Sequence, residues 1–385
     1  MLGSGASPTY RPRDEKLAAG KKWKFTGLMS NQRVVDRVIS RVQRYLGNQA
    51  HRWLGKENRW QLGPMARLLW KEGRNRSADL YIAHSEVGMW AAEQLRKEGK
   101  RVGVDMEDWF SEDLLPEARK SRPIQLLKEL EKNLLCHGVR NTCTSEVMAD
   151  ALVKAYGCRR PTVIRNVFPL KDREQLDGKW KDRPRMAKWI PSNDPRAARP
   201  KEAPVSIHWF SQSIGPGRGL ETLFGALVSL QGNWEVHLRG NLKGYEKWLE
   251  SACPVSVQAK LKVHELVDNN ELLSRIAEHD IAFAGELSES PSRNLTITNK
   301  FFQYLQAGLA VIASDTAGQT EAAKEAGGAV FVVPSNKPDG LKAILAELLN
   351  SPELLRAQKQ QSWIAADRLN WEKESRKLVS GLFSA

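Results

Sequence analysis

The chain has 385 residues, enough for two domains with cores of their own. Hydrophobic residues make up 41% and aromatic residues 8%, as in a globular protein, and no apolar run is long enough to span a bilayer. A net charge of +14 and a pI near 9.6 call for an anionic partner: nucleic acid, anionic lipid or a phosphate-bearing small molecule.

Residues 1 to 30 are polar and basic, and the start MLGSGASPTYRPRDEK lacks the apolar core of a signal peptide, so a cytoplasmic chain is expected. NQRVVDRVISRVQRYL at 31 to 46 reads as an amphipathic helix, with Val34, Val35, Val38, Val42, Tyr45 and Leu46 on one side and Arg33, Arg37, Arg41 and Arg44 on the other. Such a helix lies flat on an anionic membrane, or packs its valines on the domain core. Thirteen tryptophans in a basic chain suit a bilayer surface; a solvated basic face is the other reading. Trp53, Trp60 and Trp70 fall on one or two helices over 51 to 76. ADLYIAHS (78 to 85) predicts a strand, VGMWAAEQLRKEGK (87 to 100) a helix stopped at Gly99, and RVGVDMED (101 to 108) the next strand, which together make a βαβ unit. A helix over 121 to 135, a short strand, a helix from Ser145 to Gly157 and a strand at 161 to 169 complete the first domain.

Residues 170 to 203 are rich in proline and charge without sustained periodicity and read as a linker or exposed extension. The second domain then opens with a strand (205 to 210), a loop carrying Gly215, Gly217 and Gly219, and a helix from about Leu220. A glycine loop between strand and helix exposes amides and the positive helix end, which suits phosphate. It is neither G-x-G-x-x-G nor a Walker loop. Residues 299 to 321, NKFFQYLQAGLAVIASDTAGQTE, predict a helix ended by Gly308, a buried parallel strand over 309 to 314, a polar turn and a new helix opened by Glu321. The four cysteines, Cys136, Cys143, Cys158 and Cys253, form no C-x-x-C pair, which favours free thiols over metal ligation.

Residues 299 to 321 carry a resemblance to the C-terminal signature of retaining glycosyltransferases of the GT-B fold, in particular family 4. Asn299, Lys300, Phe302, Tyr304, Leu305, Ala307, Gly308, Val311 to Asp315, Gly318 and Glu321 match its pattern. Residues 78 to 108 resemble that family's first-domain βαβ region, 161 to 169 its exit strand, and 235 to 285 its nucleobase-side strands. The resemblance implies an α/β, GT-B architecture of two Rossmann-like domains facing a cleft, the N-terminal one lacking a visible first strand, glycine loop and helix. It implies domains at 1 to 169 and 204 to 350, and C-terminal helices over 351 to 385 that cross back, with Trp363 and Trp371, to the first domain.

By the same resemblance, Arg218 and Lys300 neutralise a nucleotide diphosphate, with amides near Gly217 and Gly219 and around Ala317 and Gly318. His264 and Leu266 lie by the nucleobase, and Gln303 and Glu321 by the donor. Glu286, Glu289, Ser290 and Arg293 line the cleft. Four positions depart from the family: Glu107 replaces a histidine, Ser213 an arginine, and Leu295 and Gln303 a pair of glutamates. Glu107 either accepts bonds from sugar hydroxyls or caps a helix near Ser111. The expected activity is metal-independent, retaining transfer from a UDP- or GDP-linked sugar to a glycan or lipid-linked acceptor at the cytoplasmic membrane face, with no further cofactor. A non-catalytic GT-B protein at a membrane surface is the alternative. Nucleic-acid binding rests on charge alone and is not expected, since no such motif is present.

Overall fold

Short runs of Val, Ile and Ala closed by polar residues are what a strand buried on both faces requires, and the chain repeats them. A computed structural model describes residues 1–4, 15, 19–29, 33–113, 119–120, 122–183 and 203–383. Two compact units emerge: Met1–Thr144 with Met148–Val163, and Ser145–Val147 with Ile164–Ala385.

In the first unit, β1 (Leu2–Ser4) and β2 (Thr26–Met29) form a parallel pair. β1 places a strand where the sequence shows no apolar one, because three residues of Leu, Gly and Ser carry no pattern. Next come α1 (Val34–Leu54), α2 (Met65–Arg74), β3 (Tyr81–Ala83), α3 (Ser85–Lys97), β4 (Val102–Met106), α4 (Ile124–His137), β5 (Arg140–Cys143), α5 (Glu146–Tyr156) and β6 (Thr162–Val163). The sheet is parallel in the order β3-β4-β5-β6. Its core joins Val102, Val104 and Met106 of β4 to Met89 and Leu95 of α3 and Leu127, Leu130 and Leu134 of α4, all buried. α1 does not share that core. Gly47 is its one buried residue, and its valines are exposed.

The second unit runs β7 (Val205–Ser213), α6 (Leu220–Leu227), β8 (Trp234–Asn241), α7 (Glu246–Ala252), α8 (Val255–Gln258), β9 (Leu261–His264), α9 (Asn269–Ala277), β10 (Ile281–Ala284), α10 (Pro291–Leu295), α11 (Asn299–Ala307), β11 (Ala310–Ser314), α12 (Ala317–Glu325), β12 (Val330–Val333), α13 (Pro338–Asn350), α14 (Pro352–Ala365) and α15 (Trp371–Phe383). The six strands lie parallel in the order β12-β11-β10-β7-β8-β9. That is the doubly wound order, which reverses between β7 and β10. One apolar cluster joins Trp209, Phe224 and Phe283 to Leu341 and Leu345 of α13. A second joins Phe301, Phe302, Tyr304 and Leu305 of α11 to Val311 and Ala322.

One expectation is corrected here. Residues 170–183, read as linker because of their charge, pack on the second unit. Arg173 donates to the carbonyls of Gln306 (3.0 Å) and Trp363 (2.7 Å), with its guanidinium 3.5 Å from the Trp363 ring centroid. Arg183 is buried, donating to Pro204 (2.7 Å) and to the Glu278 carbonyl (2.9 Å). Each charge here has a partner that lies far off in sequence, which composition does not reveal. Residues 184–202 lie outside the described residues. The Trp371 amide donates to Phe168 (3.0 Å), and the Trp363 ring lies under the Arg173 guanidinium.

Candidate functional site

In a doubly wound sheet the strand ends open a crevice where the order reverses. In the second unit that point lies between the carboxyl ends of β7 and β10. The glycine loop leaves β7, and Gly217 and Gly219 take φ values of 73° and 78°, which only glycine adopts without strain. A Cβ on Gly219 would stand 2.9 Å from the Gly285 Cα, so the loops after β7 and β10 touch through bare backbone. α6 starts directly behind, at Leu220.

Cations gather at this point. Lys300, in the first turn of α11, is buried beneath it and donates to the Gly285 carbonyl at 3.1 Å. Its Nζ is 3.2 Å from Glu286 and lies over the Trp209 ring. Burial lowers the Lys300 ammonium; Glu286 pulls it back up, while Arg218 and Arg293 push it further down. Arg293 donates from Nη1 to the Gly217 carbonyl at 2.8 Å. Ser290 caps α10 by accepting from the Arg293 amide (3.2 Å), which fixes where that arginine starts. Arg218 is exposed on the loop itself. The Gly217 amide donates to Glu221 (3.1 Å), so a carboxylate already stands where an anion would sit.

The other expected positions spread out along the same strand ends. Ser213 ends β7 and pairs in register with Asn241. Leu266 is half-exposed. Gln303 is half-buried on α11. Gly318 meets the carbonyls of Leu295 and Thr296, which a Cβ there would approach to 2.5 and 2.7 Å. The Ala317 amide, expected on phosphate, donates to Asn294 Oδ1 at 3.1 Å. Glu321 accepts from Arg165 (2.9 Å) and from the amides of Glu146 (3.1 Å) and Val147 (2.9 Å).

His264 ends β9 inside a buried histidine cluster. Its Nε2 lies 2.8 Å from His237 Nδ1, and the two rings stack. His279 stacks on His208 with centroids 4.3 Å apart. Burial lowers His208 and His279 well below the ordinary imidazole value and brings His264 to about 4, with Asp182 opposing the shift at His264.

The first unit carries the opposite charge at its strand ends. Asp105 closes β4, held by a hydrogen bond from Thr142 of β5 at 2.5 Å. His84 follows β3, and its Nδ1 lies 3.2 Å from both Asp105 and Glu107. Bonds to Asp105 and then to Glu107 raise the imidazole to about 10. Burial works against the Asp105 carboxylate, yet the His84 and Thr142 bonds outweigh it and hold it below its ordinary range. Ligand atoms of His84, Asp105 and Glu107 all lie within 4.8 Å of one another, a set able to hold a metal ion. The chain near Ser111 forms only a short 3-10 turn, with no side-chain cap from Glu107. The Ser111 hydroxyl and amide donate to the buried Glu131 instead (2.6 and 2.8 Å). Glu107 therefore pairs with His84.

Solved structures share this architecture. HepE from Anabaena in complex with UDP-glucose matches 100% of this chain and 92% of its own, with a TM-score of 0.71 and 16% identity. The fold is GT-B. A glycosyltransferase from Rickettsia africae matches 100% of this chain and 90% of its own (TM-score 0.65, 12% identity). Sucrose-phosphate synthase from Thermosynechococcus elongatus matches 82% of this chain and 75% of its own (TM-score 0.63, 14% identity). No family profile matches the sequence, and no curated protein matches it.

Within this GT-B fold, two residues matter more than the sequence signalled. Arg293 brings a guanidinium to the glycine loop, whose family arginine is replaced by Ser213. His84 brings an imidazole beside Glu107, where the family histidine is absent. The histidine at the end of ADLYIAHS was the available signal for His84. Arg293 was expected along the cleft, but its bond to the glycine loop had no signal, because only the tertiary fold carries α10 to that loop.

Proposed function

We propose that the protein is a retaining glycosyltransferase that takes a sugar from a UDP- or GDP-linked donor. The carrying observation is the convergence of Lys300, Arg293 and Arg218 on the Gly217–Gly219 loop at the sheet's switch point. Negative charge builds on the leaving diphosphate as the glycosidic bond breaks, and fixed cations stabilise it without reorganising. Arg218 and Arg293 meet the diphosphate, and buried Lys300 sets the potential beneath it, so the charge is carried by side chains rather than by a metal. HepE has been solved with UDP and with UDP-glucose, which supports a donor of this chemistry. In the first unit, Glu107 and Asp105 accept hydrogen bonds from sugar hydroxyls, with protonated His84 orienting both carboxylates. The acceptor is a glycan or lipid-linked sugar in envelope polysaccharide or glycolipid synthesis, and the protein acts peripherally at a cytoplasmic membrane face. The net charge of +14 supports that placement.

The test is calorimetric titration of UDP and GDP, with a hydrolysis screen of nucleotide sugars against Lys300→Ala and Arg218→Ala controls. Binding that weakens in both variants, with turnover of at least one donor, is expected. No binding of either nucleotide at millimolar concentration would leave a non-catalytic GT-B protein.

A further inference from the structure

α1 points its apolar side the wrong way for a soluble domain. An amphipathic helix normally turns its apolar stripe to the core. Here Val34, Val35, Val38, Ile39, Val42, Tyr45, Leu46 and Trp53 are all exposed, Trp53 to 85%. At roughly 100° per residue they share one arc of about 140°. The helix is anchored on its far side. The Gly47 carbonyl accepts from Asn58 (3.1 Å), Asn48 Oδ1 accepts from Gln61 (3.2 Å), and a Cβ on Gly47 would strike the Gln61 amide at 2.8 Å. The packing side is thus small and polar, and the outward side is branched, aliphatic and aromatic.

Charge tells what covers it. Arg33, Arg37, Arg41, Arg44, Arg52 and Lys56 are exposed on or beside the helix, against two acidic residues, Asp36 and Glu57. Long basic side chains keep their charged ends in a headgroup layer while apolar neighbours enter the acyl boundary. A symmetric self-contact would set this basic flank against its own copy, where like charges repel. A polyanion without an apolar phase would leave the valine arc wet.

We infer that α1 is a membrane-docking helix that lies in the interface of an anionic bilayer, apolar arc down and arginines among the headgroups. This names the surface for the peripheral placement proposed above and rests on that reading only for a reason to visit a membrane. It needs no catalysis, and nucleotide binding by the second unit is measured separately.

The experiment is co-sedimentation of the full chain with phosphatidylglycerol-containing vesicles and with pure phosphatidylcholine vesicles, beside sedimentation velocity without lipid. Wild type is expected on the anionic vesicles, released in high salt, and far weaker on the neutral ones. Val38→Asp with Val42→Asp is expected to lower partitioning at least about tenfold, and Arg37→Glu with Arg41→Glu to remove the preference for anionic lipid. Both sites are exposed, so both variants retain the wild-type circular dichroism and UDP affinity. Absence from anionic vesicles, or binding unchanged by Val38→Asp with Val42→Asp, overturns the inference. So does a lipid-free dimer that this pair dissociates, which would give the face to a second copy. Vesicle binding with no nucleotide binding keeps the docking helix and removes the transferase.

Discussion

The strand ends of the two sheets carry opposite charge. Asp105 and Glu107 close the first unit's sheet around one histidine that they keep protonated. In the second unit, Lys300, Arg218 and Arg293 surround the switch point, and the neighbouring histidines are buried and neutral. The same side chain therefore serves opposite purposes. His84 is a cation because two carboxylates reach it. His208 and His279 are neutral because burial, then neighbouring histidines and arginines, make a second ring proton costly. Carboxylates suit hydroxyl groups and cations suit phosphates, so the strand ends of each sheet favour a different ligand chemistry.

Acid should separate them most. His208, His279 and His264 have folded-state values below the ordinary 6.5. Their contribution is complete above that value and is lost as pH falls, for His264 through about 4. Each histidine that stays neutral in the fold while its unfolded form protonates gives a slope of up to about 1.4 kcal/mol per pH unit. Urea titrations from about pH 7 down to about pH 4.5 should show stability falling by a few kcal/mol per unit. A flat profile over that window would mean that the cluster is solvated.

Next in size is Lys300→Ala. Loss of one fixed cation at a developing charge removes roughly 2–4 kcal/mol of transition-state stabilisation, about thirtyfold to a thousandfold in turnover. The same change leaves Glu286, half of the pair at 3.2 Å, buried without its cation, so some stability is lost as well. Nucleotide affinity separates the two effects, because a Lys300→Ala, Glu286→Gln double variant restores the fold but not the binding.

The second unit was legible because its elements are long and punctuated. Gly308 closes α11 at φ 71°, β11 follows as one apolar run, and α6 begins at Leu220 as read. The strap over 170–183 was not legible. Its charges are those of a linker, and only Glu235, Glu278 and Trp363, far along the chain, turn them inward. The histidine cluster is equally non-local: parallel register sets His208 beside His237, and no short window holds both. For α1 the periodicity gave the faces but not which of them looks outward. Of the candidate site, Lys300 and the glycine loop were legible. The bonds of Arg293 and Glu221 to the loop and of Arg165 to Glu321 were not.

Arg293→Ala sharpens the contrast within the second unit. Its guanidinium holds the loop and adds charge, so removing it should weaken UDP or GDP binding by about 1.5–3 kcal/mol, the range for a hydrogen bond to a charged group. Arg293→Lys should recover only part, since an ammonium lacks the planar fork. Affinity unchanged in both variants would mean that Arg218 and Lys300 suffice.

His84→Gln tests the first unit and should have the smallest effect on stability. Because its folded value, about 10, lies above the ordinary 6.5, the charge pairing is complete below 6.5 and is lost as pH rises through about 10. The side chain is 52% exposed, so solvent screens the pairs and the loss at neutral pH should stay under about 1 kcal/mol. The distinguishing readout is the pH profile. Wild-type transfer should decline only above about pH 9 on account of this group, while the glutamine variant, with nothing to deprotonate, should lose that alkaline limb and turn over more slowly throughout. An alkaline limb that persists in His84→Gln belongs to another residue, and the carboxylates would then hold sugar hydroxyls without help from the imidazolium.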